Sequence, residues 1–584
     1  MTGGLEHGRL GASRSTWRVT SLWLWLWLWL SLALTLLACG DGAVPEGAKA
    51  PATAVVDSTD YADLVELFAE WRGFERPALR DGAPDYTAEA MRRKSEELPE
   101  WQRRLGAIDS SGWGIAEQID HRLVAAEMNG LRFYLDVLRP WARDPAFYQS
   151  VWTAQSDTPA HEGPTHHALV ELWTYGFPLS DEAAARLEAE LATIPPLLDQ
   201  ARVNLVGDAE ELWLSGIGTL RDQSRALREL AARVADAPAV EAARSAALAA
   251  TDELVAWLEA EAPKKTAASG VGEEAYTWSL RNVHLVPMSW ADEEALLRRE
   301  LDRAWSSLVL EEQRNRDLPE LQAAGSPEEY DRRAQQAVTD YLDFLRDREV
   351  LVVREYMDPA LRAQVGGFVP LESRNFFRIA MHYDVTTLLT HFYHWWDLAR
   401  MEVDPHPSPI RRGPLLFNIW DSRSEGLSTG VEEMFLHAGL YDDRPRVREI
   451  VWILLAQRAA RGLGSLYVHA NRMTMKEARD FHVRWTPRGW MREDLDLLGF
   501  EQQLYLRQPG YGTSYITGKY LVERLLREVT EQRQRGEEEF SLASFFAELD
   551  AEGVIPVSLI HWQMTGDDSM VPPLPAGPPP PLGR

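Results

Sequence analysis

The sequence predicts a mainly α protein with little sheet. Apolar residues recur at helical spacing along most of the chain, helix-start and helix-stop residues bound many of these stretches, and alternating strand patterns are scarce. The amphipathic stretches lie at about 60–75, 86–106, 114–139, 181–206, 218–235, 237–261, 291–314, 327–347, 377–401, 443–472, 474–484 and 510–534.

Local signals support the individual helices. In 114–139, Ile119 and Leu123 lie one helical turn apart, and Pro140 follows where the helix should stop. Ser180 precedes two acidic residues, which is typical of a helix start because serine caps free backbone N–H groups. Each stretch is therefore predicted to be a helix in its own right.

The N-terminus carries the features of a secretion signal. Three arginines precede an apolar run at 21–38, which ends in Leu36-Leu37-Ala38-Cys39. This ending resembles the lipobox of bacterial lipoproteins, in which a small residue precedes the cut and the following cysteine carries the lipid. We expect residues 1–38 to be removed and Cys39 to be lipidated, so that the lipid anchors the chain to a membrane in the cell envelope. The alternative is an uncleaved transmembrane helix, for which the run is also long enough.

Composition divides the remaining chain into three parts. Residues 39–57 are rich in Ala and Pro, which predicts a flexible tether. A helical body is expected over 58–565, with a candidate subdivision at 262–275, where a stretch rich in Gly, Ser and Ala between two helical blocks is either a domain linker or a long surface loop. The proline-rich tail at 566–584 is predicted to be disordered, since proline fits neither a helix interior nor a central strand.

Charge and cysteine content exclude several functions. The formal net charge is −28 and no basic run interrupts the acidic chain, so nucleic acid is not an expected partner. The charge also argues against broad electrostatic adhesion to anionic lipid, which leaves the acyl chains as the attachment. Cys39 is the only cysteine among 584 residues, so a disulfide, a thiol nucleophile and a cysteine metal ligand are excluded.

The most suggestive stretch for chemistry runs from His391 to Asp397. On one continuous helix, His391, His394 and Asp397 would form a slanting stripe at i, i+3 and i+6. Two imidazoles and a carboxylate on one stripe are a candidate metal site, or one His is oriented by the Asp. The alternative is a buried polar patch in which each group is satisfied by its neighbours.

A second cluster begins at Glu425. If this segment is helical, Glu425 and Glu432 share one face, and Glu433 shares another with His437. Residues 426–430 read G-x-S-x-G, but a nucleophile elbow needs a strand before it and a helix after it within an α/β sheet. Because this chain shows no such sheet, a serine hydrolase is disfavoured.

Two further segments carry polar residues at helix ends. A long helix is predicted to end at His469 and also carries Arg461. A Gly-rich turn at 509–515 leads into a helix with Lys519. The start of that helix is a candidate anion-binding site, although such turns more often only connect two helices.

Taken in order, these pieces resemble the bacterial family of unknown function numbered 885, whose members look like helical zinc metallopeptidases. The family pattern runs H-E-x-x-P-G-H, E-G-W, R-x-x-x-D-x-G-x-H and P-G-Q-x-x-S-Y, with G-K following. The resemblance is clearest over 377–530, and 271–276 fits an earlier segment. It implies a large helical bundle or superhelical body resembling helical zincin-like metallopeptidases, with zinc as cofactor and a peptide as ligand.

The resemblance also assigns roles to individual residues. His391 falls on the first metal-ligand His and Glu425 on the ligand Glu, while His394 is the candidate for the displaced second His. His469 and Tyr515 fall on positions expected to stabilise an oxyanion or to bind substrate. The other expected substrate-binding positions hold Arg461 and Lys519. If these assignments hold, His391, Glu425, His469 and Tyr515 converge on one pocket.

The family motifs are altered at several places. Phe392 replaces the glutamate that would activate a zinc-bound water, and residues 395–397 replace P-G-H with Trp-Trp-Asp. Further replacements occur at Leu427, Ser465, Tyr467 and Tyr511.

These changes leave two functions open. A peptidase needs a base, and Glu432 or Glu433 would have to take that role. The first function is therefore a lipid-anchored envelope hydrolase that acts on peptides through an altered centre. The second is a catalytically inactive lipoprotein that keeps the fold and pocket to bind peptides or a partner.

Overall fold

Helices supply nearly all the regular structure of this computed structural model, which describes residues 57–161, 163–575 and 577–582. The helices of the first half are α1 (Tyr61–Glu75), α2 (Ala88–Gly106), α3 (Ile115–Phe133), α4 (Pro140–Arg143), α5 (Asp181–Ala192), α6 (Ile194–Asn204), α7 (Glu210–Val234), α8 (Pro238–Glu261) and α9 (Glu273–Asn282). Those of the second half are α10 (Trp290–Arg314), α11 (Pro327–Asp347), α12 (Met357–Arg362), α13 (Phe376–Tyr383), α14 (Thr386–Leu389), α15 (Tyr393–Val403), α16 (Asp421–His437), α17 (Val447–His469), α18 (Met475–Trp485), α19 (Asp496–Arg507), α20 (Tyr511–Arg535), α21 (Leu542–Ala551) and α22 (Val557–Thr565). The predicted mainly α fold is confirmed.

The sheet in the described residues consists of two pairs of short strands. The first pair is antiparallel and joins β1 (Leu79–Arg80) to β2 (Ala83–Pro84). The second pair is parallel and joins β3 (Val151–Trp152) to β4 (Val170–Glu171). Strands this short organise loops but do not form a layer of the fold.

The predicted helix at 377–401 is interrupted. It consists of α13, α14 and α15, with a break after Tyr383 and another before Tyr393. Asp384 accepts a hydrogen bond from the Thr386 N–H at 2.9 Å, and the Thr387 hydroxyl donates to the Asp384 carbonyl at 2.8 Å. Such side-chain bonds compete with helical backbone bonds, so the helix restarts twice in a short span.

Three helices form the centre of the body. Nearly every residue of α17 is buried, as are most of α16 and the first nine residues of α20, Tyr511–Lys519. A helix that is buried on all sides belongs in the interior of a large protein. This arrangement places the polar residues of the candidate site in the core.

Glycines allow α16 and α20 to cross with their backbones in contact. A Cβ added at Gly518 would lie 2.1 Å from the Ser422 carbonyl oxygen, and one at Gly426 would lie 2.3 Å from the Gly518 Cα. Gly426 belongs to the G-x-S-x-G sequence, which lies inside α16. The glycines of this motif therefore serve helix packing, and in the described chain no strand leads directly into them as a nucleophile elbow requires.

The segment at 262–275 is not a boundary between two units. The Gly272 N–H donates to the His469 carbonyl at 2.8 Å, and the Gly270 N–H donates to Asn471 Oδ1 at 3.0 Å. A Cβ at Gly270 would lie 2.3 Å from the Val468 carbonyl oxygen. The described chain from residue 57 onward accordingly forms one compact unit.

The ends of the chain differ in what the structure describes. The predicted signal at 1–38, Cys39 and the tether up to residue 56 lie outside the described residues. The tail was predicted to be disordered; its described part has no helix after Thr565 but packs against the body. Met570 is buried, and Trp278 Nε1 donates to the Gly577 carbonyl at 3.4 Å. Across the described residues, no helix combines the length and apolar character needed to cross a bilayer.

Candidate metal centre

The interrupted helix brings two histidines to the centre of the body. His391 lies in the turn before α15, and His394 lies in the first turn of that helix. The stripe expected on one continuous helix is therefore broken, and Asp397 does not join the histidines. Its carboxylate instead accepts hydrogen bonds from Arg423, at 2.9 and 3.1 Å, and from Arg400 at 3.1 Å.

Glu425 completes a cluster with these two histidines. One ligand-type atom from each of His391, His394 and Glu425 lies within 4.8 Å of the others. His391 Nε2 is 3.6 Å from Glu425 Oε2. The His391 and His394 rings stand nearly perpendicular, with centroids 5.0 Å apart. Neighbouring ligands of a tetrahedral zinc ion stand roughly 3.4 Å apart, so small side-chain adjustments would bring these atoms to bonding distance.

The cluster contains polar atoms without hydrogen-bond partners among the described residues. These buried atoms are His391 Nδ1, both ring nitrogens of His394 and Glu425 Oε2. The side chains of His394 and Glu425 are only 1% and 2% exposed, and that of His391 is 13% exposed. Unpartnered buried polar atoms are costly, and a cation bound between these side chains would pair with Glu425 Oε2 and with one ring nitrogen of His394. The residues present therefore fit a divalent metal ion.

Glu425 remains ionised despite its burial. Burial alone would raise its pKa, but the adjacent His391 and His394 and the hydrogen bond from the Tyr511 hydroxyl together lower the pKa of Glu425 to about 2. The Tyr511 hydroxyl donates to Glu425 Oε1 at 2.5 Å, leaving Oε2 directed to the histidines. Tyr511 thus orients the carboxylate.

Glu432 lies on the other side of the His391 ring. Its oxygens accept two hydrogen bonds of 2.7 Å from Arg458, and both side chains are at most 2% exposed. His391 Nδ1 is 3.1 Å from Glu432 Oε1, although the contact lacks hydrogen-bond alignment. Since Arg458 neutralises this carboxylate, Glu432 is suited to orient His391 and not to accept a proton from water.

Tyr515 and Arg461 form a stack on the cluster. The Tyr515 ring lies nearly parallel to the His391 ring at a centroid distance of 6.0 Å. The guanidinium carbon of Arg461 lies 4.1 Å from the Tyr515 ring centroid. Arg461 also donates to Glu501 at 2.6 Å, so the carboxylate of Glu501 partly balances its charge in a buried ion pair.

Two predicted pocket residues do not join the cluster. His469 Nε2 lies 2.9 Å from the Tyr505 carbonyl oxygen, and the His469 ring packs against Tyr276 at a centroid distance of 5.6 Å. Lys519 Nζ lies 3.0 Å from Glu433, within an ion network that includes Arg303. The expected convergence therefore holds for His391, Glu425 and Tyr515, while His469 and Lys519 have structural partners elsewhere. Glu433 is bound by cations and is not a free base.

A family model matches part of the sequence, and two solved structures match most of the fold. Residues 67–308 match a family model described as bacterial protein of unknown function (DUF885). That match covers less than half of the chain and ends before the metal cluster. No curated protein matched the sequence.

Two solved structures share the fold. One is described as a putative lipoprotein of unknown function from Shewanella oneidensis, with TM-score 0.62 and 13% identity, covering 86% of this chain and 99% of that chain. The other is described as a putative lipoprotein from Colwellia psychrerythraea, with TM-score 0.58 and 13% identity, covering 88% and 99% respectively. At this identity the likeness concerns the fold alone.

Asp157 is a site residue that the sequence did not indicate. Its Oδ2 lies 3.7 Å from His394 Nε2, and its side chain is 38% exposed. Desolvation by the surrounding protein raises the pKa of Asp157, and the charge of Glu425 adds to this effect, while the histidines oppose it. The residue belongs to an irregular loop after β3, far along the chain from the recognised motifs, so no spacing pattern could have identified it.

Proposed function

We propose that this protein is a metal-dependent hydrolase of the cell envelope that binds zinc through His391, His394 and Glu425 and cleaves peptides. The observation that carries the proposal is the convergence of three ligand-type atoms, within 4.8 Å of one another, on side chains that each carry a buried polar atom without a hydrogen-bond partner among the described residues. Two imidazoles and one carboxylate form a donor set typical of catalytic zinc. Three protein ligands also leave a coordination position for water or substrate.

The chain supplies groups suited to each role around such an ion. Bound zinc would polarise a substrate carbonyl and acidify a bound water. Glu432 orients His391 from the far side of its ring, and Tyr511 orients Glu425. Asp157 lies next to His394 but outside the ligand set, which is the place for a carboxylate that accepts a proton from water. We assign that role to Asp157 in place of the glutamate that Phe392 replaces.

The envelope location is part of the same proposal. The lipobox-like ending at Cys39 supports lipid anchoring, and the two similar structures are described as putative lipoproteins. A long tether between the lipid and the helical body would leave the body free to meet soluble peptides.

Metal content tests the centre. The purified full chain, incubated with zinc and dialysed, should retain stoichiometric zinc by elemental mass spectrometry. His391→Ala and Glu425→Gln should lose it because each removes a ligand. His437→Ala is the matched control, since His437 lies on the same helix as Glu425 but its side chain is 61% exposed. A wild-type chain that retains no zinc contradicts the proposal.

Activity tests the hydrolase assignment separately. Wild-type protein should cleave members of a mixed peptide library, with products identified by mass spectrometry. Asp157→Asn should keep its zinc but lose about 10²–10⁴-fold in rate, the usual contribution of a general base. If zinc binds but no peptide is cleaved, hydrolysis is wrong. The inactive peptide-binding protein is then the function that remains.

A further inference from the structure

A cavity of about 390 Å³ lies beside the candidate centre. It is enclosed by loop residues 163–167, the segment 414–418 before α16 and the segment 507–509 before α20. Its walls include the apolar side chains of Leu131 and Phe417. This volume falls within the range of small-molecule sites.

Two buried polar groups in the cavity wall lack partners among the described residues. Asp421 is 2% exposed, and neither of its carboxylate oxygens has a hydrogen-bond partner in the described part of the chain. Gln508 is 8% exposed; its Oε1 accepts a hydrogen bond from Asn418, whereas no described residue pairs with its Nε2. Buried polar atoms in native proteins are nearly always satisfied, so an unsatisfied acceptor and donor in one cavity point to a ligand.

The described neighbours of Asp421 supply no positive group that binds its carboxylate. His284 Nδ1 lies 3.8 Å from its Oδ2, beyond hydrogen-bond distance, and burial lowers the pKa of His284 to about 4, so this imidazole is neutral at pH 7. Burial and the nearby Glu425 raise the pKa of Asp421 well above its ordinary value. The first turn of a helix favours an acidic residue, but this does not satisfy the carboxylate oxygens.

The other charged groups of the cavity already have partners. Arg507 donates to Asp144 at 2.7 Å and to the Pro164 carbonyl at 2.8 Å. Glu75 lies 3.3 Å from a His167 ring nitrogen. Among the described residues of the wall, Asp421 is therefore the carboxylic acid that lacks a countercharge.

We propose that this cavity binds the free amino terminus of a peptide with an apolar first side chain. Asp421 would bind the ammonium group, the Gln508 amide nitrogen would donate to the first carbonyl oxygen, and the side chain would pack against residues such as Leu131 and Phe417. An ammonium donor, a carbonyl acceptor and an apolar group together are the features of a peptide's first residue. A free carboxylate would face Asp421 unfavourably, so the opposite end of a peptide does not fit.

The cavity and the candidate centre are connected through α16 and through the turn that leads into α20. Asp421 and Glu425 are one turn apart on α16, so their Cβ atoms are separated by about 5–6 Å. Gln508 lies just before α20, whose first residue, Tyr511, bonds to Glu425. A bound amino terminus would thus place the first peptide bond near the centre.

The role of the cavity as a substrate subsite rests on the proposed hydrolase function. Binding of an amino terminus in the cavity does not depend on that function. In the hydrolysis, the water oxygen would bond to the first carbonyl carbon, the C–N bond would break, and a proton from water would go to the leaving amine. The substrate class is therefore peptides cleaved from their amino end.

Calorimetry of the purified full chain in the presence of a chelator tests binding without metal. L-Leucinamide, which carries the amine, the carbonyl and an apolar group, should bind, and N-acetyl-L-leucinamide should not. Asp421→Asn should weaken binding about tenfold to a hundredfold, as expected for a charged hydrogen bond. Asp496→Asn is the control, because Asp496 also opens a helix but is exposed.

The outcomes separate this inference from the proposed function. In the same chelator-treated state, His391→Ala should bind L-leucinamide as the wild type does, because His391 belongs to the candidate centre and does not line the cavity. If Asp421→Asn fails to fold, Gln508→Met tests the same cavity through the carbonyl contact and should also weaken binding. Wild-type protein that does not bind L-leucinamide, or folded Asp421→Asn that binds it equally well, overturns the inference whether or not zinc is present.

Discussion

His391 lies between two carboxylates that differ in their hydrogen-bond partners. Its Nε2 is 3.6 Å from Glu425, and its Nδ1 is 3.1 Å from Glu432. Burial and Arg458 oppose protonation of the ring, but the two carboxylates together raise the pKa of His391. Glu425 has a free oxygen for a cation, whereas both oxygens of Glu432 are bound to Arg458. The hydrogen bonds, and not the residue type, distinguish Glu425 as the proposed ligand from Glu432 as the proposed orienting group.

Glu432→Gln should reduce both stability and zinc affinity. The change leaves the buried Arg458 charge without its partner, which costs about 3–5 kcal/mol of unfolding free energy. It also removes a group that orients a ligand, which typically lowers metal affinity by about 10–100-fold. Urea unfolding and zinc titration against a chelator measure the two effects.

Glu433→Gln is the control for this prediction. Glu433 adjoins Glu432 but binds Arg303, at 2.6 Å, and Lys519 instead of His391. This variant should be less stable than the wild type without losing zinc affinity. Equal loss of zinc affinity in both variants would mean that the effect is general destabilisation and not orientation of His391.

At the scale of elements, the site depends on how α16 crosses α20. Glu425 comes from α16, while Tyr511 and Tyr515 come from α20. The contact between Gly426 and Gly518 determines how closely the two helices approach. Protein interiors are too closely packed to absorb an extra methyl group without movement, so this contact sets the position of Glu425 relative to the tyrosines.

Gly518→Ala should separate these helices. Its new Cβ would lie 2.1 Å from a backbone oxygen of α16, which cannot move independently of the helix. We expect destabilisation of about 1–3 kcal/mol from overpacking, together with lower zinc affinity. Thermal unfolding and metal titration measure the change.

Gly499→Ala provides a matched substitution inside a helix. Gly499 lies in α19, and a Cβ there would meet nothing within 4 Å. Because alanine favours helices over glycine, this variant should be as stable as the wild type or more so. Unaltered stability and zinc affinity in Gly518→Ala would show that α16 and α20 need not touch.

At the scale of the whole molecule, we expect the helical body and the predicted N-terminal signal to have separate tasks. The described chain from residue 57 onward forms one unit, which holds both the candidate centre and the cavity. The formal net charge of −28 disfavours adsorption of this body on an anionic bilayer. Membrane attachment would therefore depend on the lipid at Cys39.

Cys39→Ala should leave an unprocessed precursor without lipid. Processing of a lipobox requires the cysteine, so the variant should retain residues 1–38 and fail to acquire the mass of the acyl chains. Intact mass spectrometry of the N-terminus in wild type and variant measures both. A wild-type chain with Met1 intact and Cys39 unmodified would contradict the prediction and favour the transmembrane anchor.

Much of the secondary structure could be predicted from the sequence because it depends on local patterns. The helix expected at 327–347 is α11, Pro327–Asp347, with Ser326 as its cap. The prediction of a single helix at 377–401 was wrong. Asp384 and the threonines that follow it form side-chain hydrogen bonds that hydrophobic periodicity does not detect. The linker expected at 262–275 is instead packed against residues near His469, a contact distant in sequence.

What the sequence by itself determined is the mainly α fold and the candidate ligands His391, His394 and Glu425, since helical periodicity and ordered motifs are properties of the chain alone. Only the tertiary structure decided which polar residues have partners. Glu432 forms an ion pair with Arg458, and Lys519 belongs to an ion network that includes Glu433. His469 lies within hydrogen-bond distance of a backbone carbonyl. Asp157 and Asp421 join the site region through packing of distant segments. The physical reason is that desolvation and hydrogen bonding, which set the chemistry of a buried group, depend on neighbours in space.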